Sequence, residues 1–205
     1  MPTREKGERP ALPREFIAEY KQRRIMDALA ELTAEQGYEA TKISDIVKRA
    51  GVARKTLYDN FEGKEEVFLA AFDAARDEIL GRVEEGAVAD GGDWRERVEG
   101  GLAAFLAYVA EKPALARMCM VEALQATPAT AKRYEDADGT FVELTRQVLP
   151  SDERVPDTIA ESLVGGVAWI VRRQIERGEA EQAEDLLPEL TEFMLAPYLD
   201  APVPE

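Results

Sequence analysis

No stretch of this 205-residue chain alternates polar and apolar residues with the period of two that a half-buried strand needs. Apolar residues recur instead every three to four positions over most of its length, which restricts the fold to packed helices. Glycine and proline mark where those helices stop. Residues 1–13 hold Pro2, Pro10 and Pro13 among mixed charges and read as a flexible arm. Pro13 suits the first turn of a helix running to about Gln36, with Ile25, Leu29 and Leu32 on its inner face and Gly37 as its stop. Thr41 is placed to cap a second helix, whose stripe is Ile43, Ile46, Val47 and Ala50 and which Gly51 ends. A third covers about Arg54–Phe61. A long fourth begins near Lys64, with Val67, Phe68, Ala71, Phe72 and Ile79 inward, and reaches about Glu85. The segment Gly86–Asp93 reads as a linker. Further helical patterns span about 94–111, 114–126, 128–148, 157–177 and 182–199, separated by Pro113, Pro128, Pro150, Pro156 and Gly178. The reading is all-α: a three-helix domain over 14–63, then a larger helical domain over 64–205.

Apolar residues make up 45% and charged residues 33%, an ordinary balance for a water-soluble domain, and the longest apolar runs fall well short of the roughly 18–20 residues of a membrane span. The polar, proline-broken start does not resemble a secretory signal, and one cysteine, Cys119, cannot form an internal disulfide, so the expected location is the cytoplasm. With no histidine and one cysteine, neither a Ser-His or Cys-His nucleophile pair nor a His/Cys zinc site can be assembled. No dinucleotide, phosphate-loop or calcium-loop motif is present either. No enzyme activity, metal or cofactor is therefore expected. The net charge of −15 is unevenly spread. Residues 1–64 carry 13 of the 26 Lys/Arg but 11 of the 41 Asp/Glu, a local balance of +2 against −17 for the remainder. A polyanion is thus tolerable at one end and disfavoured at the other.

The segment 41–64, TKISDIVKRAGVARKTLYDNFEGK, brings a short helix to Ala50-Gly51-Val52 and starts a second within three or four residues, which is the helix-turn-helix pattern. Gly51 suits the left-handed conformation that reverses the chain. Ala50, Val52 and Leu57 are small enough for two helices to cross closely. The second helix then presents Arg54, Lys55, Thr56, Tyr58, Asp59 and Asn60, a set of cations, hydroxyls and an amide suited to phosphates and base edges. Thr41, Ile43, Ile46-Val47, Ala50-Gly51-Val52, Thr56-Leu57-Tyr58, Phe61 and Lys64-Glu65, in register over about residues 20–72, resemble the DNA-binding domain of the TetR family of transcriptional regulators.

That resemblance implies a regulator, a repressor by family default, bound as a homodimer to a near-palindromic double-stranded operator; the alternative is a helical interaction protein whose helix-turn-helix is purely structural. It implies phosphate contacts from Thr41, Lys42, Tyr58 and Lys64, and a recognition helix carrying Arg54, Lys55, Thr56 and Asn60 into the major groove. Two positions depart from the family pattern: Ala53 stands where serine is common and Lys55 where glycine is common. Asp59 either accepts from a cytosine amine or points away from the DNA. Arg4, Lys6, Arg9 and Arg14 of the arm either follow the minor groove or are simply disordered among Glu5, Glu8 and Glu15.

In the larger domain, 163–171 is apolar almost all round, and Gly165-Gly166 suits close approach of another helix. Leu186, Leu190, Phe193, Met194 and Leu195 form a second broad apolar surface. Either these faces meet within one chain or, as the resemblance implies, they build a four-helix dimer interface through Leu163, Gly166, Val167, Ile170, Leu190, Phe193 and Met194. Between them and the helix-turn-helix lie Phe105, Tyr108, Met118 to Met120, Tyr134, Phe141 and Trp169. These are ordinary core residues or, by the resemblance, walls of a pocket for a mainly hydrophobic small-molecule effector. Glu122 and Arg172 interrupt the apolar stretches and either orient a polar group of that effector or lie at the surface.

Overall fold

The computed structural model describes residues 14–88, 92–151 and 155–198, and every regular element among them is helical. The arm at 1–13 lies outside the described residues. The N-terminal part comprises α1 (Arg14–Gln36), α2 (Ile43–Ala50) and α3 (Arg54–Tyr58), joined to α4 (Lys64–Val88). Then come α5 (Trp94–Glu111) and a rod made of α6 (Pro113–Arg117), a π-helical turn (Met118–Glu122) and α7 (Ala123–Ala126). The chain finishes with α8 (Pro128–Val148), α9 (Ile159–Glu176), a 3-10 segment (Ala180–Leu186), α10 (Leu187–Leu195) and a last 3-10 turn (Ala196–Tyr198).

Local chemistry explains most boundaries. Gly37, Gly51 and Gly178 take φ of 84°, 62° and 78°, the left-handed region where a side chain is costly, and each closes a helix. The Asp93 carboxylate accepts from the N–H groups of Arg95 and Glu96 at 2.8 and 3.2 Å, while Glu96 accepts from the Asp93 N–H at 3.0 Å, a complete capping box for α5. Thr127 and Thr130 cap α8 by the same exchange, with Pro128 in its first turn.

Four expectations are corrected. Gly86, Ala87 and Val88 belong to α4 and not to a linker. A Cβ on Gly86 would lie 2.5 Å from the Gly100 carbonyl oxygen, so the glycine marks where α5 crosses α4 almost backbone to backbone. The third helix ends at Tyr58, and the last apolar segment opens as a 3-10 helix before turning α-helical at Leu187. Thr41 does not cap α2. The N-cap is Lys42, without a side-chain bond, and the Thr41 hydroxyl donates to the Gly37 carbonyl at 2.9 Å.

The buried residues form two cores. The first joins Ile25, Leu29, Ile46, Leu57, Val67 and Phe68 to Tyr108, Met118 and Cys119, so the three-helix unit is packed on α5 and the π turn. The second surrounds α5 with α9, the 3-10 segment and α10, through Leu102, Leu106, Leu163, Val171 and Leu190. No described helix is long and apolar enough to cross a membrane.

Candidate DNA-reading helix and enclosed cavity

The turn between α2 and α3 is held by its backbone. The Gly51 N–H donates to Lys48 O at 3.2 Å and the Val52 N–H to Val47 O at 3.1 Å, after which Ala53 runs extended into α3. Leu57, fully buried, anchors the inner side of α3, and Arg54, Lys55, Tyr58 and Asp59 stand in solvent on the other. Neighbours four residues apart pair up. The Arg54 guanidinium lies 5.6 Å from the Tyr58 ring centre and donates to its hydroxyl at 3.3 Å. The Lys55 ammonium binds the Asp59 carboxylate at 2.7 Å, so Asp59 offsets part of the charge that faces outward.

The remaining residues expected at DNA are placed differently. Lys42 is exposed at the start of α2. Thr41 is 1% exposed with its hydroxyl turned inward, out of reach of a phosphate in this arrangement. Thr56 is half-buried, in a groove beside Ile17 and Lys21 of α1. The Asn60 amide is spent within the fold, accepting from Gln22 Nε2 at 3.1 Å and donating to the Thr56 carbonyl at 2.6 Å. It positions α3 against α1 and does not extend toward a base. The Lys64 ammonium sits 3.8 Å above the Tyr38 ring and donates to the Tyr38 carbonyl at 2.7 Å. Burial there pulls its pKa down, opposed by the nearby Glu39.

Tyr38 is held from its other side by the larger domain. Its N–H donates to Glu122 Oε2 at 3.1 Å, and its ring packs edge-on against Phe68. Glu122 therefore lies neither in a pocket nor at the surface. It is 7% exposed and ties the π turn to the loop between α1 and α2.

A cavity of about 170 Å³ lies between α4, α5, α8 and α9. Of the residues expected to line it, Phe105, Tyr108, Tyr134 and Phe141 do, with the Phe105 and Phe141 ring centres packed 6.3 Å apart in its wall. Met118 is fully buried in the first core, and Arg172 is half-buried away from the cavity wall. Trp169 is 49% exposed, with the Arg173 guanidinium 4.6 Å from its ring. None of these three lines the cavity. Cys119 and Met120, next to Met118 in the same run, line it as well, and residues that sequence reasoning missed include Arg97 and Leu144. Arg97 was detectable, because Arg97, Gly101, Phe105 and Tyr108 follow one helical stripe. Burial drives the Cys119 thiol pKa up to about 12 and raises that of the Tyr108 hydroxyl as well.

Of the expected dimer residues, Leu163, Val167, Leu190 and Met194 face the second core. The outward face of α9 and α10 carries Gly165, Trp169 and Phe193, with Ile170 half-buried. Phe193 covers Gly166 so closely that a Cβ there would lie 2.7 Å from its ring, so the close approach at the glycine pair is made within the chain.

Residues 25–71 match the family described as bacterial regulatory proteins, tetR family. The Bacillus subtilis (strain 168) fatty acid metabolism regulator protein is 38% identical over 65 residues, 32% of this chain and 34% of that protein. The transcriptional activator FasR of Mycolicibacterium smegmatis is 29% identical over 85 residues, 42% of this chain and 38% of its own. The matched region thus spans about a third of these relatives' length. The whole fold resembles the fatty acid degradation regulator FadR from Bacillus halodurans, with a TM-score of 0.78, 19% identity, and coverage of 85% of this chain and 94% of that one. It also resembles FadR from Bacillus subtilis in complex with stearoyl-CoA, with a TM-score of 0.70, 20% identity, and coverage of 85% and 97%. The helix-turn-helix region, residues 25–71, is therefore a tetR-family regulatory-protein domain.

Proposed function

We propose that this protein is a sequence-specific DNA-binding transcriptional repressor. It binds a near-palindromic operator as a homodimer and leaves it when a small, mainly hydrophobic effector occupies the cavity. The observation that carries this reading is the exposed face of α3, with Arg54, Lys55 and Tyr58 free of the core and Leu57 locking the helix from behind. Arg54 and Lys55 supply charge for phosphates and guanine edges, and the Tyr58 hydroxyl supplies a phosphate donor. Lys42 adds a cation at the start of α2.

The effector site follows from the cavity, whose walls are almost wholly apolar. A solved relative holds stearoyl-CoA, which supports an acyl-type effector here. Helix α4 links the two functions. Val67 and Phe68 at its start belong to the helix-turn-helix core, and Ile79, Val83 and Ala87 line the cavity. An effector that prefers one tilt of α4 changes the separation of the paired α3 helices from the roughly 34–36 Å that one turn of DNA demands. Pairing through the outward faces of α9 and α10, at Gly165, Trp169 and Phe193, supplies the two-fold partner.

The test is fluorescence anisotropy on duplex DNA from upstream of the protein's own gene, in a salt series, beside a Lys55→Ala/Tyr58→Ala variant. Tight binding that weakens steeply with salt and collapses in the variant is expected. Binding by the variant equal to that of the unaltered protein would contradict the reading.

A further inference from the structure

The two ends of the cavity wall differ. The wall on α4 runs from Phe72 through Ile79 and Val83 to Ala87, sixteen residues or roughly 22 Å of helix. Helix α5 runs the other way, so Tyr108 lies at the Phe72 end and Arg97 at the Ala87 end, where the Arg97 Nε donates to the Ala87 carbonyl at 3.3 Å. The Phe72 end lies beneath the helix-turn-helix and is lined by Tyr108, Cys119 and Tyr134.

The charges at these ends are opposite in kind. Arg76, nearer the Phe72 end, is already paired with Asp73 at 3.0 Å and Asp77 at 2.8 Å, and Asp138 on α8 adds a carboxylate. Burial raises the Asp138 pKa, a sign that negative charge is poorly accommodated there. Arg97 has no carboxylate partner among the described residues, and its one hydrogen bond leaves the outer guanidinium nitrogens unused. A half-buried guanidinium with spare donors at the edge of a mainly apolar cavity is placed to bind an anionic group by charge-assisted hydrogen bonds.

On the reading of this cavity as the effector site, we infer that it takes an elongated amphiphilic anion in one orientation, its charged head at Arg97 and its apolar tail running to Phe72 and Tyr108. Carboxylate and phosphate heads share this chemistry, so a free fatty acid and an acyl-CoA both satisfy it. The tail tip then reaches Cys119 and Met120, which line the cavity from the same π turn that holds the Tyr38 N–H through Glu122. Tail length is therefore sensed at the junction with the DNA-binding domain, and the head fixes where the tail starts.

The experiment is calorimetric titration of the full chain with hexadecanoate, hexadecanoyl-CoA and 1-hexadecanol. It is repeated with Arg97→Leu and Arg97→Lys, each first checked for an unchanged thermal midpoint. The better anion should bind about 10- to 100-fold more tightly than the alcohol, the scale of a charge-assisted hydrogen bond. Arg97→Leu should erase that margin and Arg97→Lys should keep part of it. Preference for the acid or for the thioester tells which source of negative charge is read. Equal binding of alcohol and anions, or a margin that survives Arg97→Leu, would overturn the assignment of the head to Arg97 and leave the cavity as an apolar effector site. Failure of all three, the alcohol included, would remove the effector site itself.

Discussion

The two halves of α4 belong to different kinds of interior. In the first half, Val67 and Phe68 are fully buried against Ile25, Leu29, Ile46 and Leu57, a core with no spare room. In the second half, Ile79 and Val83 are only half-buried and border open space, as do Phe105 and Leu144 across from them. The first arrangement fixes the shape of a surface that must match another molecule. The second forgoes packing contacts in order to keep space that another molecule can fill.

The largest expected effect separates these interiors directly. Phe68→Ala should cost about 3–5 kcal/mol of stability in urea unfolding, whereas Phe105→Ala, already facing a void, should cost about 1 kcal/mol. Equal losses would erase the contrast. Next in size is Glu122→Ala, which leaves the buried Tyr38 N–H without its acceptor. The expected loss is about 1–3 kcal/mol, with faster hydrogen exchange at the α1–α2 loop. Gly51→Ala forces a side chain onto φ of 62° and should cost about 1–2 kcal/mol. Its Cβ would also meet the Arg24 guanidinium at 2.6 Å, though that flexible group can swing aside. DNA affinity should fall with stability there, since the turn sets the direction of α3. The smallest effect concerns pH. The Cys119 thiol, near 9 in an unfolded chain, is pushed up to about 12 by burial, so the folded state holds its proton more tightly. Its contribution is complete below about pH 9 and is lost as pH rises toward 12. The urea midpoint should therefore decline in alkali more in the parent chain than in Cys119→Ala.

The helical fold and the helix-turn-helix were legible because local chemistry specifies them. Gly37 and Gly51 sit where only a left-handed stop fits, and the stripes of α2 and α4 repeat at helical spacing. What was hidden depends on partners distant in the chain. Gly86 looks like a linker until α5 crosses it through Gly100. Asn60 and Lys64 look like DNA ligands until Gln22 and Tyr38 are brought against them. Periodicity alone selects an apolar face without saying whether it meets a cavity, a core or solvent, so Trp169 and Met118 were grouped with Phe105. Leu163 and Leu190, expected between subunits, are claimed by the core of their own chain.

The central claim is that one exposed helix, α3, reads DNA sequence. Selection from a pool of random duplexes tests it most directly, with the parent chain and the Lys55→Ala/Tyr58→Ala variant run in parallel. Enrichment of a two-fold symmetric site by the parent, with half-sites one helical turn apart, and no enrichment by the variant is the predicted result. No preferred site for the parent, or the same site for both, would contradict it.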